Sequence, residues 1–290
     1  MSFRQFAEKH LKHKTLNEAP KVLIPDHLKN LEKRRILNDG KGDDWKPILF
    51  YIKEDGERVP LVAKEELMVV AGEKKARKSL LLSAIAASRF EFSDPNSCLR
   101  FELFLSGKSV LWFDTEQPRG RVKSNRWRYQ KLIGKQEDPE LYHYALRGLS
   151  PHQMKDAITL VAQTAMATDR PPGLIIIDQV VDLSTSRDEN DKLASVEVVD
   201  FLTLMSDLTG ALMCVSLHTN RMGTHTNGKI GSFLDQKTDC TFILKLNEHD
   251  ETELSHMYSR ERKMPGIVYT HGEYALPKFI SEKGAKTFFN

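Results

Sequence analysis

The chain is short of the residues that mark several protein classes. Its 290 residues include three cysteines, Cys98, Cys214 and Cys240, set far apart and without a CxxC pair. That argues against a disulfide framework or a thiolate zinc site, and it suits a reducing compartment. Long apolar runs are missing, and none approaches the roughly 18 residues of a membrane span. The opening segment, MSFRQFAEKHLKHK, lacks the apolar core of a signal peptide, so a cytoplasmic location without membrane contact is expected. Strong net charge is missing too. A formal +3 with a pI near 8.6 is too mild to argue for nucleic acid by itself. Internal repeats and low-complexity tracts are absent.

What remains is the composition of an ordinary globular protein, 40% hydrophobic and 29% charged, long enough for a sizeable core. Residues 1–45 are polar, carry both charges and close on NDGKGDDW, a turn and linker signature. They read as an N-terminal arm or linker, either with one or two short helices or as a solvated tail. Residues 46–290 read as one domain. KPILFYIKEDGERVPLV predicts a hairpin turning at Asp55-Gly56, and strands and helices then alternate. GLIIIDQV has the continuous apolar character of a strand buried in a parallel sheet. Helices are predicted over Arg119–Ile133, in PHQMKDAITLVAQTAMATD and near Asp191–Leu208. After the strand ALMCVSLH the C-terminal stretch reads as strands only, so an α/β core with an antiparallel extension fits best.

The stretch ELMVVAGEKKARKSLLLSAIAAS carries the first chemical signal. An apolar strand enters Gly72, and Lys78-Ser79 follow at the offsets of the phosphate-loop pattern G-x-x-x-x-G-K-[ST], with Arg77 in place of the second glycine. In such a loop, Gly72, Glu73, Lys74, Lys75, Ala76, Arg77, Lys78, Ser79 and Leu80 wrap a nucleotide. Backbone N–H groups converge on its phosphate oxygens, Lys78 holds the β- and γ-phosphates, and Ser79 ligates Mg²⁺. Arg77 departs from the pattern, because glycine is the residue that lets backbone approach phosphate without a Cβ.

Three strand ends supply candidate partners. Asp178 closes GLIIIDQV, where an acid fixes Mg²⁺ through water; a plain capping acid is the alternative. VLWFDTEQP ends in Asp114 and Glu116, placed either to deprotonate an attacking water or to cap the helix that follows Pro118. His218 ends VSLHTN, as a γ-phosphate sensor or as a satisfied structural histidine.

In this order, GEKKARKS, VLWFDTEQP, LIIIDQ, VSLHTN and GSFLDQKTD resemble the RecA-like ATPases, specifically the hexameric branch of plasmid RepA and DnaB-type helicases, over roughly residues 60–265. The resemblance implies a RecA-like P-loop NTPase core, an α/β fold with a mostly parallel central sheet, antiparallel C-terminal strands and a short N-terminal arm. It places Glu116 as the catalytic glutamate, Asp178 as the Mg²⁺ aspartate and His218 as the sensor. SRERKMPG resembles the family's basic-x-Arg strand, which makes Arg260 and Arg262 cationic fingers acting on a neighbouring subunit. It further implies ATP and Mg²⁺ as cofactors, a homo-oligomer of hexameric type, and single-stranded DNA as partner, with Arg221 and Lys229 in the pore-lining region after the sensor strand. The expected activity is that of a small helicase or replication protein of a plasmid or mobile element. A DNA-binding ATPase that does not unwind, and a nucleotide-binding module with impaired hydrolysis, stand as alternatives.

One further stretch bears on DNA. Arg119, Arg121, Lys123, Arg126, Arg128 and Lys131 form a run without an acid, interleaved with Trp127 and Tyr129. It reads either as a phosphate-tracking surface with stacking rings, or as a solvated helix face with Trp127 in the core.

Overall fold

The structure is a computed structural model that describes residues 46–90, 99–188, 190–220 and 226–283. The expected N-terminal arm, Cys98 and Arg221 lie outside the described residues.

Two strands, β1 (Pro47–Ile52) and β2 (Arg58–Ala63), form the expected hairpin. They join β4 (Phe101–Leu103), a strand too short to give a sequence pattern, in a small sheet ordered β2-β1-β4. The main sheet has nine strands in the order β12-β11-β10-β9-β3-β8-β7-β5-β6. Its parallel part comprises β3 (Leu67–Gly72), β5 (Ser109–Asp114), β6 (Leu141–Ala145), β7 (Pro172–Asp178), β8 (Leu212–His218) and β9 (Cys240–Leu246). Antiparallel pairing adds β10 (Thr252–Ser259), β11 (Gly266–His271) and β12 (Pro277–Lys283). Five helices complete the described architecture: α1 (Lys78–Ala87), α2 (Arg119–Ile133), α3 (Pro151–Met166), α4 (Lys192–Thr209) and α5 (Gly228–Lys237).

Period-two alternation divides the core. Met68, Val70, Val110, Trp112, Leu174 and Ile176 pack on one face with α1, α2 and the small sheet. Their neighbours Val69, Ala71, Leu111, Phe113, Ile175 and Ile177 pack on the other face with α3, α4 and α5. Because both faces are covered, these strands are apolar throughout. Helix ends are specified locally as well. Ser150 and Gln153 make a reciprocal capping box on α3, and the Asp191 side chain accepts from Ala194 N at the start of α4.

The result is the RecA-like P-loop NTPase architecture: a mostly parallel sheet with antiparallel C-terminal strands. The Gly72 strand and the Asp178 strand are separated by β8, so the carboxyl ends of β3, β8, β7 and β5 line up along one edge, where ligands of open α/β sheets bind.

Three expectations need correcting. The chain after ALMCVSLH is not strands only: Gly228–Lys237 is helical, with Ile230 and Leu234 buried at a four-residue spacing, and Lys229 is exposed in its first turn. Arg260 and Arg262 are not on a strand. A register irregularity near Met257 interrupts the pairing, β10 ends at Ser259, and a bond from Met264 N to His256 Nδ1 draws the chain back. In α2 the alternative that puts Trp127 in the core does not hold. Tyr129 lies on the buried stripe with Val122, Leu132 and Ile133, while Trp127 is 44% exposed.

Candidate functional site

The loop between β3 and α1 is held in shape by its own backbone. Ala76 N donates to Glu73 O at 3.2 Å, and Leu80 and Leu81 N both donate to Arg77 O at 3.1 Å. Lys75 and Arg77 adopt left-handed backbone, with φ of 70° and 64°. Arg77 therefore holds the conformation that glycine normally supplies, against the cost of a Cβ in that region. Its guanidinium is directed away from the phosphate cradle, reaching Asp250 Oδ2 at 2.7 Å and Thr252 Oγ1 at 3.1 Å at the start of β10. Gly72 has a different constraint. A Cβ there would meet Leu244 Cβ at 2.9 Å and Leu244 O at 3.0 Å, so close packing against β9 demands the glycine.

Lys78, the first residue of α1, turns back into the loop. Its ammonium donates to Gly72 O at 2.9 Å and Glu73 O at 3.1 Å, and contacts His218 Nδ1 at 3.1 Å. The same Nδ1 also lies 3.4 Å from Gly72 O, so the ring shares the loop carbonyl with Lys78. Burial lowers the Lys78 pKa, partly opposed by Asp178 and Glu116; burial and then Lys78 lower that of His218.

Ser79 Oγ donates to Asp178 Oδ2 at 2.6 Å, and the other Asp178 oxygen accepts from Ser216 Oγ on β8. Burial drives the Asp178 pKa up against these two bonds and the Lys78 charge. Gln117 joins the cluster, its Nε2 donating to Ser79 Oγ at 3.1 Å. Among the described residues no group of three or more His, Cys, Asp or Glu side chains forms a metal cage. The hard hydroxyl and carboxylate oxygens of Ser79 and Asp178 do fit Mg²⁺ of the kind that keeps waters and takes its other ligands from phosphates.

The two acids after β5 are separated by burial. Asp114 is fully buried opposite Asp178 in the strand register; one oxygen accepts from Gln117 N at 2.7 Å and the other has no partner. Burial first, then the Asp178 charge, pushes its pKa up to about 7. Glu116 is exposed and faces the cavities at this edge.

The described residues line two such cavities. The larger, about 720 Å³, runs along Lys74–Leu80 and past Gln117 toward Arg128 and His271. A second, about 660 Å³, is lined by Glu73, Gln179, Asp182, Thr219 and Ile230 among others. Lys74, Glu116 and His218 border both. The fold thus brings Lys78, Ser79, Glu116, Asp178 and His218 together at one edge. Sequence reasoning missed Thr115, Gln117, Gln179 and Ser216; Ser216 alone left a trace, as a polar residue inside an apolar strand.

Arg260 and Arg262 are elsewhere. Ser259 pairs with Cys240 at the amino end of β9, which runs parallel to β3, so both arginines lie at the edge opposite the loop. Arg260 pairs with Asp239 at 2.9 Å and Arg262 with Glu57 at 2.7 Å, both exposed. Lys229 does not border either cavity.

A glycine-entered loop, a lysine at the helix start and a hydroxyl bonded to a strand-end acid together define a nucleotide-binding P-loop protein. Residues 57–223, more than half of the chain, match the sequence model of the AAA domain family, and the chain belongs to that family. None of the curated proteins searched matches the chain. No described helix is long and apolar enough to cross a membrane.

Proposed function

We propose that the chain is a Mg²⁺-dependent ATPase that acts on DNA as a ring-forming helicase or replication protein of a plasmid or mobile element. Nucleotide-dependent ATPase chemistry follows from the family, and the Ser79–Asp178 hydrogen bond carries the site assignment. It joins the loop hydroxyl to the strand-end acid that a nucleotide-bound Mg²⁺ needs at one point. Lys78 holds the β- and γ-phosphates, Glu116 takes a proton from the attacking water, and His218 couples the γ end to β8. Mg²⁺, when bound, offsets phosphate charge and orients the chain for in-line attack.

The DNA reading rests on α2 and on the segment after β8. Lys131 lies 5.5 Å from the exposed Trp127 ring and 5.6 Å from that of Tyr274, and Arg121 and Arg128 border the loop cavity. Cations beside exposed rings suit a single strand. Arg221 and Lys229 follow directly from the sensor strand. Single-stranded DNA should stimulate ATP turnover, and strand displacement on a tailed duplex should accompany it. Stimulation without displacement would favour the non-unwinding ATPase, and no turnover would favour the binding module.

We read Arg260 and Arg262, which lie at the far edge, as acting on a neighbour's nucleotide in a hexameric ring. Mixing inactive Arg262→Ala with inactive Lys78→Ala chains should restore part of the turnover. No recovery in oligomers shown to exchange subunits removes the trans assignment.

A further inference from the structure

The second cavity lies past Glu116 and His218, and two nearly buried polar groups border it without partners. Gln179 is 5% exposed and its Oε1 accepts nothing; Thr219 is 8% exposed and its Oγ1 is unpaired. A buried acceptor without a donor is costly, on the order of 1–3 kcal/mol, unless a guest supplies one.

The position of Gln179 is fixed relative to Glu116. Thr115, one residue before Glu116, has its hydroxyl 2.7 Å from Gln179 O and accepts from Gln179 N at 3.1 Å. Thr115 N also donates to Asp178 O at 2.9 Å. One buried threonine thus pins the turn carrying Glu116 to the backbone of Gln179. The extended backbone of Gln179, at φ −162° and ψ 113° ahead of the Val180–Leu183 turn, places its side chain on the cavity wall.

We propose that Gln179 orients the attacking water, through its unpaired Oε1, on the side of the γ-phosphate away from the leaving group. This rests on the reading of Glu116 as the base. A water attacking in line must aim a lone pair at phosphorus, which leaves two hydrogens to be held. Glu116 takes one and Gln179 Oε1 accepts a hydrogen bond from the other. The water oxygen bonds to the γ-phosphorus as the bond from phosphorus to the β–γ bridging oxygen breaks. The electron pair of that bond leaves with the diphosphate, one proton passes to Glu116, and the other stays on the oxygen that becomes part of inorganic phosphate. Gln179 is neither protonated nor consumed. Its contribution is angular, and mispositioning of a reacting atom by about 1 Å costs on the order of 10² in rate.

The test compares an isostere that lacks the acceptor with one that keeps it. In the full chain with ATP and Mg²⁺, Gln179→Met should lower kcat on the order of 10²-fold. Nucleotide affinity by calorimetry and the melting temperature should stay at the parent's values. Gln179→Glu keeps an acceptor at the same reach and should recover most of the turnover. If Gln179→Met fails to fold, Gln179→Asn, which withdraws the acceptor by one methylene, carries the same expectation. Turnover within twofold of the parent for Gln179→Met, or Gln179→Glu as inactive as Gln179→Met, overturns the proposal. Glu116→Gln is run alongside. Retained turnover there removes the base assignment itself, whereas an inactive Glu116→Gln with an active Gln179→Met removes only the role of Gln179.

Discussion

The two ends of the parallel strands treat charge in opposite ways. At the amino end, Arg260 is exposed and paired with Asp239, whose other oxygen accepts from Leu67 N at 3.1 Å to fasten the start of β3. At the carboxyl end, Lys78 and Asp178 are displaced from their ordinary pKa values by burial, Asp114 is held near neutrality, and Gln179 keeps an unpaired acceptor. The first set is satisfied by its neighbours and does structural work. The second is costly as it stands, and a site that binds a charged guest is where such cost is expected. Substitutions at the two ends should therefore differ in kind: loss of binding or turnover in the same subunit at one, and at the other changes in stability, with any loss of turnover confined to a neighbour's site.

The largest effect is expected at Lys78. Lys78→Ala removes the ammonium at the helix start and should abolish ATP binding in calorimetry; unchanged affinity would remove the phosphate site from this edge. Glu116→Gln should keep ATP affinity and lose about 10²–10⁴ in kcat, the usual weight of a general base. If Asp114→Asn gives that kinetic pattern instead, the buried acid is the base.

Asp114 sharpens the contrast through pH. Its folded pKa of about 7 lies above the ordinary carboxylate value, so its protonated form favours folding fully at low pH. That contribution is lost as pH rises through about 7. Asp114→Asn should then be more stable than the parent at pH 8, with the gain vanishing near pH 4, in urea unfolding without Mg²⁺. A constant difference across that range would show that Asp114 is not held protonated.

Smaller effects come next. Arg77→Gly relieves left-handed strain but loses the bonds to Asp250 and Thr252. The two changes oppose each other, so stability should move within about 1 kcal/mol and ATP should still bind. At the amino end, Arg262→Ala breaks an exposed ion pair and should shift the melting temperature by no more than about 2 °C, whereas Arg260→Ala takes the counter-charge from the buried Asp239 and should cost more. A larger loss of turnover than of stability at either arginine would mark a role outside its own subunit.

Most of the sheet was legible because burial on both faces leaves an unbroken apolar run, and GLIIIDQV or VLWFD can hardly be anything else. The strand ends then carried their acids to one edge with no further information. The missed features each had a local cause. The α5 pattern of Ile230 and Leu234 is hidden among glycine, threonine and asparagine, which read as loop. Arg260 and Arg262 alternate as strand residues would, but β10 ends at Ser259, before either of them. The exposure of Trp127 was readable after all: Val122, Tyr129 and Leu132 share a helical stripe, and Trp127 falls outside it. Thr115 and Gln179 were not readable, since their meaning lies in a contact between residues 64 positions apart.

The tether from Arg77 to Asp250 also has a historical consequence. Asp250 is 81% exposed and itself left-handed, at φ 55°, so nothing in its own surroundings calls for an acid there. Among the described residues its one ion pair is with an arginine standing where other loops have glycine. The two positions are expected to vary together: glycine at 77 would free position 250 to drift, and loss of the acid would leave an arginine with strain and no compensation. Homologues of this chain should thus sort into two groups, glycine with any residue at 250 or arginine with an acid. Searches that demand the second glycine will overlook the arginine group, although Arg77 holds the left-handed backbone that glycine supplies.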